Sequence, residues 1–260
     1  MYKNLTYHLE SEVAIVGLNR PEALNSLNLP LLQELAECLT HCGDDQGIRA
    51  VVLKGEGKVF SAGGDIKSMQ QDSARPHLLR QLTMYLHTAI GSIWRMPKPV
   101  FAAVHGAATG AGFALALACD VIVAAEKTRF GTAYLAIGLS PDGGTTFFLP
   151  KVMGLHRAKY LTFTSEMIDA ATAQQFGFIS RLVREEDLLS ETMKMAHKLT
   201  SGPTWAIAKS KELLNQSFLQ TLETQMAAER DGVTFAGGMA DFAEGLSAFF
   251  AKRNPKFKGR

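Results

Sequence analysis

The 260-residue chain reads as an α/β protein that ends in helices. Short β-branched runs alternate with helical patterns in its first part, as in a sheet covered by helices. Strand-like runs become scarce after about residue 150, and amphipathic stretches replace them. Two glycine-rich turns, "FSAGGDIK" (60–67) and "HGAATGAGF" (105–113), each follow a strand-like run.

"EVAIVGL" (12–18) and "IRAVVLKG" (48–55) are short, β-branched and predict strands. "LLQELAECLTHC" between them repeats apolar residues at helical spacing. Asn28 and Pro30 precede it, where a helix takes a side-chain cap and a proline. "LLRQLTMYLHTAIGSIW" (78–94) predicts a second amphipathic helix, stopped by "MPKP". "VFAAV" (100–104) predicts a third strand. "GAGFALALACD" (110–120) is apolar on every side and predicts a buried helix. "VIVAAE" (121–126) is a further strand. Beyond 150, "AATAQQFGFISRLV", "EEDLLSETMKMAHKLTSG", "PTWAIAKSKELLNQS", "FLQTLETQMAAERDGVTFAG" and "MADFAEGLSAFFAKR" all predict helices. Phe242, Leu246, Phe249 and Phe250 on the last one exceed what a lone terminal helix buries. Packing onto the core or onto another subunit is expected.

Bulk composition excludes several classes. Hydrophobic residues make up 47% and charged residues 20%, ordinary for a globular protein. A net charge of +2 gives no reason to expect nucleic acid or a membrane surface as partner. Cys38, Cys42 and Cys119 form no C-x-x-C pair, so reduced thiols in a cytoplasmic protein are expected and a structural zinc is not. No signal peptide is read at the N-terminus, and apolar runs are too short or too glycine-interrupted to span a bilayer.

Glycine lets a chain turn sharply and lets a ligand approach main-chain N–H groups. The second turn feeds the buried helix, whose first N–H groups lack partners and carry the positive dipole end. Two such turns side by side would make a two-donor oxyanion hole. Their plainer meaning is tight helix–strand packing. A dinucleotide fold fits poorly: Gly110-x-Gly112 is followed by Leu115 at the third glycine position, and no Gly-Lys-Ser/Thr marks a P-loop.

"FGTAYLAIGLSPDGGTT" (130–146) raises a separate question. Asp142 is the sole Asp or Glu between residues 127 and 165. Pro-Asp-Gly-Gly-Thr-Thr is a good helix start, so an N-cap is its plain reading. A proton-transferring carboxyl is its chemical one.

Taken together, "NRPEALNSLN" (19–28), "VFSAGGDIKSM" (59–69), "PKPVFAAVHGAATGAGFALALACDVIVAAEKTRFG" (97–131) and "GLSPDGGTTFFLPKVMG" (138–154) resemble the enoyl-CoA hydratase/isomerase (crotonase) family. The tail "FAEGLSAFFAKRNPKF" is similar to the family's common ending, and the match spans nearly the whole chain. The resemblance implies a crotonase-like spiral of ββα units over 1–200 and a C-terminal helical region over 201–260 that builds homotrimers or hexamers. It implies an acyl-CoA substrate, with coenzyme A as part of the substrate and no further cofactor or metal. It implies that the Gly64 and Ala111 N–H groups hold the thioester oxygen. It places Leu24, Ala62 and Ile66 near the adenine, with Gly63, Asp65, Gly110 and Tyr134 also at the substrate. Lys67, Lys98 and the C-terminal basic residues stay open as partners for the CoA phosphates.

The chain departs from the hydratases of that family in a specific way. Their two water-holding glutamates fall at Ala114 and Tyr134 here. Branches with a single carboxylate keep it at the position of Asp142, among them ring-opening isomerases of phenylacetyl-CoA breakdown. The resemblance therefore implies an isomerase that shifts a double bond, or opens a ring-derived epoxide, with Asp142 as its acid/base. A hydratase is the alternative. A dehalogenase-like hydrolase and a binding-only family member are further ones. His87 lies where the dehalogenase branch places a helper histidine. A partly buried helix histidine is its plainer reading, and it enters as an auxiliary candidate only.

Overall fold

The structure, a computed structural model, describes residues 2–259. Six strands form the main sheet in the order β1 (Leu5–Glu10), β2 (Val13–Leu18), β3 (Ala50–Gly55), β4 (Val100–Val104), β6 (Val121–Ala125) and β9 (Arg181–Val183). β1 pairs antiparallel with β2, and the remaining pairings in this sheet are parallel. A smaller sheet holds β5 (Ala107–Thr109), β7 (Arg129–Gly131) and β8 (Ile168–Asp169).

β2, β3, β4 and β6 read as near-continuous apolar runs because helices cover both faces of the sheet. Successive side chains point to opposite faces. Ala14, Val16 and Leu18 face α1 (Leu29–Asp44), α3 (Arg75–Arg95) and α4 (Ala111–Ala118). Val13, Ile15, Ala50, Val52, Phe101, Ala103 and Val123 face α8 (Leu188–Thr200) through its Leu188, Met193 and Ala196. The Asn28 side chain accepts the Leu31 N–H at 3.1 Å and caps α1, as its position predicts. All eight residues of α4 are buried, as its uniform apolarity predicts. No helix among the described residues is long and apolar enough to cross a membrane.

The expected helix over 170–183 is corrected. α7 covers only Ala170–Gln175, and Gly177 at φ +95° breaks the pattern. Ser180 N–H then donates to Ile122 O and leads into β9 beside β6. The edge strand β1, largely exposed, carries too little apolar alternation to stand out in the sequence. α2 (Ile66–Gln71) follows the first glycine turn. After α5 (Thr145–Met153) and α6 (Leu155–Thr164), the C-terminal helices are α9 (Thr204–Gln216), α10 (Leu222–Gly237) and α11 (Ala240–Phe250).

Candidate active site

Both glycine turns leave the sheet at the same end and run side by side. Ser61 N–H donates to Ala107 O at 3.1 Å, and Thr109 N–H returns a bond to Ser61 O at 3.0 Å. Gly63 packs so closely that a Cβ there would lie 2.7 Å from Thr109 O, and its φ of +93° favours glycine as well. Gly110, at φ +50° and ψ −124°, turns the chain into α4. Among the described residues neither Gly64 N–H nor Ala111 N–H has an acceptor, and both residues line one cavity of about 240 Å³. Two unpaired donors meet there, one of them at the positive end of a buried helix.

A buried polar network sets the first turn. The Ser61 hydroxyl donates to Asn25 O at 2.8 Å and accepts the Gly63 N–H at 3.2 Å. Asn25, wholly buried, donates to Glu56 O and Val59 O. Asp65 caps α2 through the Ser68 N–H and accepts from Arg20 Nη1 at 2.9 Å. Burial works to raise the Asp65 carboxyl, but the Ser68 N–H and the Arg20 guanidinium outweigh it and hold its pKa below the ordinary value. Asp65, expected at the substrate, is therefore occupied in holding the turn and does not line the cavity.

Asp142 lines the same cavity. The turn from Pro141 to Gly144 runs through two left-handed glycines, and Gly144, not Asp142, stands at the cap of α5. The Asp142 backbone carbonyl, not its carboxylate, accepts the Thr145 N–H at 3.0 Å, and α5 has no side-chain cap. Asp142 Oδ1 accepts the Tyr134 hydroxyl at 2.7 Å. The plain reading of Asp142 as a side-chain helix cap is thus corrected. Burial above all, and then the Asp142 charge, push the Tyr134 phenol far above its usual range, so it remains a donor. Among the described residues, Asp142 is the only charged side chain lining the cavity. Among the described residues no three His, Cys, Asp or Glu side chains gather as a metal site needs.

The remaining candidates divide. Ala62, Gly63, Gly64, Ile66, Gly110, Ala111 and Tyr134 all line the cavity with Asp142. Leu24, 45% exposed, and His87 do not. Leu24 contributes its carbonyl to the Ala62 N–H instead. His87 reaches the site from outside, its Nε2 accepting the Gly143 N–H at 3.3 Å. Lys98 is removed as a phosphate candidate: its buried Nζ donates to Cys42 O and Asp45 O. Ala114 is fully buried, and its Cβ lies 2.8 Å from where a Cβ on Gly143 would stand. The turn bearing Asp142 thus crowds the place where a longer side chain at 114 would extend.

The apolar end of the cavity comes from the segments 68–90 and 128–140, whose individual inward-facing side chains the sequence does not identify. Leu79, Leu82, Thr83 and Leu86 line it from α3, joined by Met69, Ile137 and Leu139. Their helical spacing on α3 is also the spacing of a core stripe, so periodicity alone does not separate cavity wall from core.

Comparison with known proteins agrees with this geometry. The family model described as enoyl-CoA hydratase/isomerase matches residues 8–260. The chain is 37% identical over 262 residues to the 1,2-epoxyphenylacetyl-CoA isomerase of Escherichia coli (strain K12), covering 100% of both chains. It is 34% identical to the crotonyl-CoA hydratase of Syntrophomonas wolfei, covering 98% of each. Among solved structures, an enoyl-CoA hydratase from Bacillus anthracis superposes with a TM-score of 0.95 at 32% identity, over 99% of this chain and 100% of that one. An unpaired pair of N–H donors on a crotonase fold, matched along the full chain by such relatives, makes this protein an enzyme of the enoyl-CoA hydratase/isomerase family.

Proposed function

We propose that this enzyme is an acyl-CoA isomerase that moves a double bond, with Asp142 as its single acid/base. The observation that carries the reading is the cavity's charge inventory: one carboxylate in the same cavity as two free N–H donors, with no second charged side chain among its described lining residues. A 3-enoyl thioester bound with its carbonyl oxygen at Gly64 and Ala111 N–H would present its C2 hydrogen to the Asp142 carboxylate. Asp142 takes that proton, and the electron pair left behind spreads through the double bond onto the thioester oxygen. The two N–H groups stabilise this dienolate. The same carboxyl then returns the proton at C4, giving the conjugated 2-enoyl product. One residue serves both steps because the proton leaves and re-enters a single delocalised anion.

Tyr134 supports this role by holding Asp142 Oδ1, which leaves Oδ2 for the substrate. Coenzyme A enters as part of the substrate. Ala62 and Ile66 are assigned to the CoA side of the cavity, and Met69, Leu82 and Leu86 to the acyl side. The full-length likeness to an epoxyphenylacetyl-CoA isomerase favours the same branch of the family. Ring-derived acyl groups therefore stand beside linear ones as substrates. The exposed phenylalanines of α11 favour assembly with further copies of the chain. The family resemblance is what points to a homotrimer, single or paired.

Hydratase activity is the second reading, favoured by the crotonyl-CoA hydratase at 34% identity. One experiment separates them: conversion of linear and ring-bearing 3-enoyl-CoA thioesters by wild type and Asp142→Asn in heavy-oxygen water, with mass analysis of products. Conjugated product without heavy oxygen, lost in the variant, is expected. Heavy oxygen in the wild-type product would establish water addition. Binding without turnover, unchanged in the variant, would leave a binding-only protein. Halide release from a halogenated aroyl-CoA with a trapped acyl-enzyme would make Asp142 a nucleophile.

A further inference from the structure

The turn that carries Asp142 is held in a way the isomerase reading does not by itself require. Gly143 and Gly144 have φ of +59° and +73°, a backbone that glycine adopts freely and therefore also leaves freely. Gly143 is wedged between α3 and α4: a Cβ on it would lie 3.1 Å from Ile90 Cδ1 and 3.2 Å from Leu86 Cδ2, besides the Ala114 contact. On the same stretch of α3, His87 Nε2 accepts the Gly143 N–H at 3.3 Å. Among the described residues that N–H has no other acceptor. In this contact the imidazole Nε2 is the acceptor.

We propose that His87 is a positioning residue: by accepting the Gly143 N–H it anchors the peptide next to Asp142 to α3 and fixes where the carboxylate points. Asp142 is then gripped at two places, by Tyr134 at Oδ1 and by His87 through the following peptide. His87 is not among the residues that line the cavity. The inference rests on Asp142 being the acid/base, since only then does its aim matter to turnover.

Geometry of the reacting groups governs the chemical step more steeply than binding. A loosened turn therefore lowers kcat and leaves KM for the acyl-CoA alone. The test compares His87→Gln and His87→Ala with wild type. Glutamine offers a carbonyl oxygen that accepts the same N–H but cannot act as a general base. Expected are a kcat loss of about tenfold in His87→Ala with KM within about twofold, and recovery to within about threefold in His87→Gln. Hydrogen exchange of the peptide spanning 139–147 is read alongside, and its protection should fall in His87→Ala and hold in His87→Gln.

Full activity and unchanged exchange in His87→Ala would overturn the proposal. Equal loss of activity in both variants, with the turn still protected in His87→Gln, would overturn it too, because the ring would then act in its own right. Asp142→Asn is measured on the same substrate. If that variant turns over normally, the isomerase reading fails, while the exchange data still decide whether His87 holds the turn.

Discussion

Tyr134 falls where the family resemblance puts a hydratase glutamate, and its hydroxyl donates to Asp142, the proposed acid/base. Tyr134→Phe separates placement of Asp142 from its presence. A hydrogen bond to a charged group contributes about 1.5–3 kcal/mol, so kcat should drop roughly tenfold to a hundredfold with KM little changed, by steady-state kinetics. A variant with wild-type kcat would show that the phenol only fills space. Ala114 makes the complementary case. Ala114→Glu rebuilds half of a hydratase's pair in sequence, but its side chain must enter the volume that Gly143 and Ile90 already crowd. Overpacking of this kind costs about 1–3 kcal/mol, and an unpaired buried carboxylate adds to it. Denaturant unfolding should show that loss, and heavy oxygen should stay out of the product.

At the scale of elements, the first glycine turn depends on the short helix α2 that follows it, and Asp65 is the residue that joins them. Its carboxyl has a lower pKa folded than unfolded, so it contributes stability at neutral pH. That contribution starts to fall near the unfolded value of about 3.9 and is gone once pH drops below the folded value. Melting curves of wild type and Asp65→Asn should differ above pH 5 or so and converge in acid. A difference of the same size at low and neutral pH would mean that the carboxylate charge contributes nothing. The sequence already marks these elements unevenly. α1 is legible because periodicity and its Asn28 cap agree, and α4 because nothing polar interrupts it. The donors at Gly64 and Ala111 are legible only as two glycine turns; their pairing comes from Ser61 lying beside β5, a long-range contact. β9 is hidden because "FGFISRLV" extends the apolar pattern of α7, and pairing with β6 decides its form. The aim of Asp142 is hidden as well, since "PDGG" suits a helix cap and only the Tyr134 contact shows that the carboxylate turns elsewhere.

On the whole molecule, the cavity is built from residues between Leu27 and Asp142, and the C-terminal helices of the same chain do not line it. Their first member is firmly attached. Buried Lys211 on α9 donates to Ile93 O, Lys98 O and Asp120 Oδ2, and Arg49 donates to Gly202 O and Thr204 Oγ1 at its start. The tail folds back on α11: Asp241 accepts the Lys258 and Gly259 N–H groups, and Arg253 with the Lys256 N–H draws the Glu244 carboxyl down to about 2. A tail fixed this way is ordered, yet Leu219, Val233, Phe249 and Phe250 are each 70% exposed or more. Ordered helices that present large apolar side chains to water fit a surface covered by another copy of the chain. Phe249 and Phe250 are 77% and 79% exposed, so replacing both with aspartate removes little packing within one chain. It does place two charges in any contact that buries them, where an unpaired charge is costly. Phe249→Asp/Phe250→Asp should therefore leave the fold intact by circular dichroism and lower the mass in light scattering from that of an assembly to that of one chain. An assembly that survives both charges would place the subunit contact elsewhere, with the exposed side chains around Leu155 and Phe163 the next face to charge.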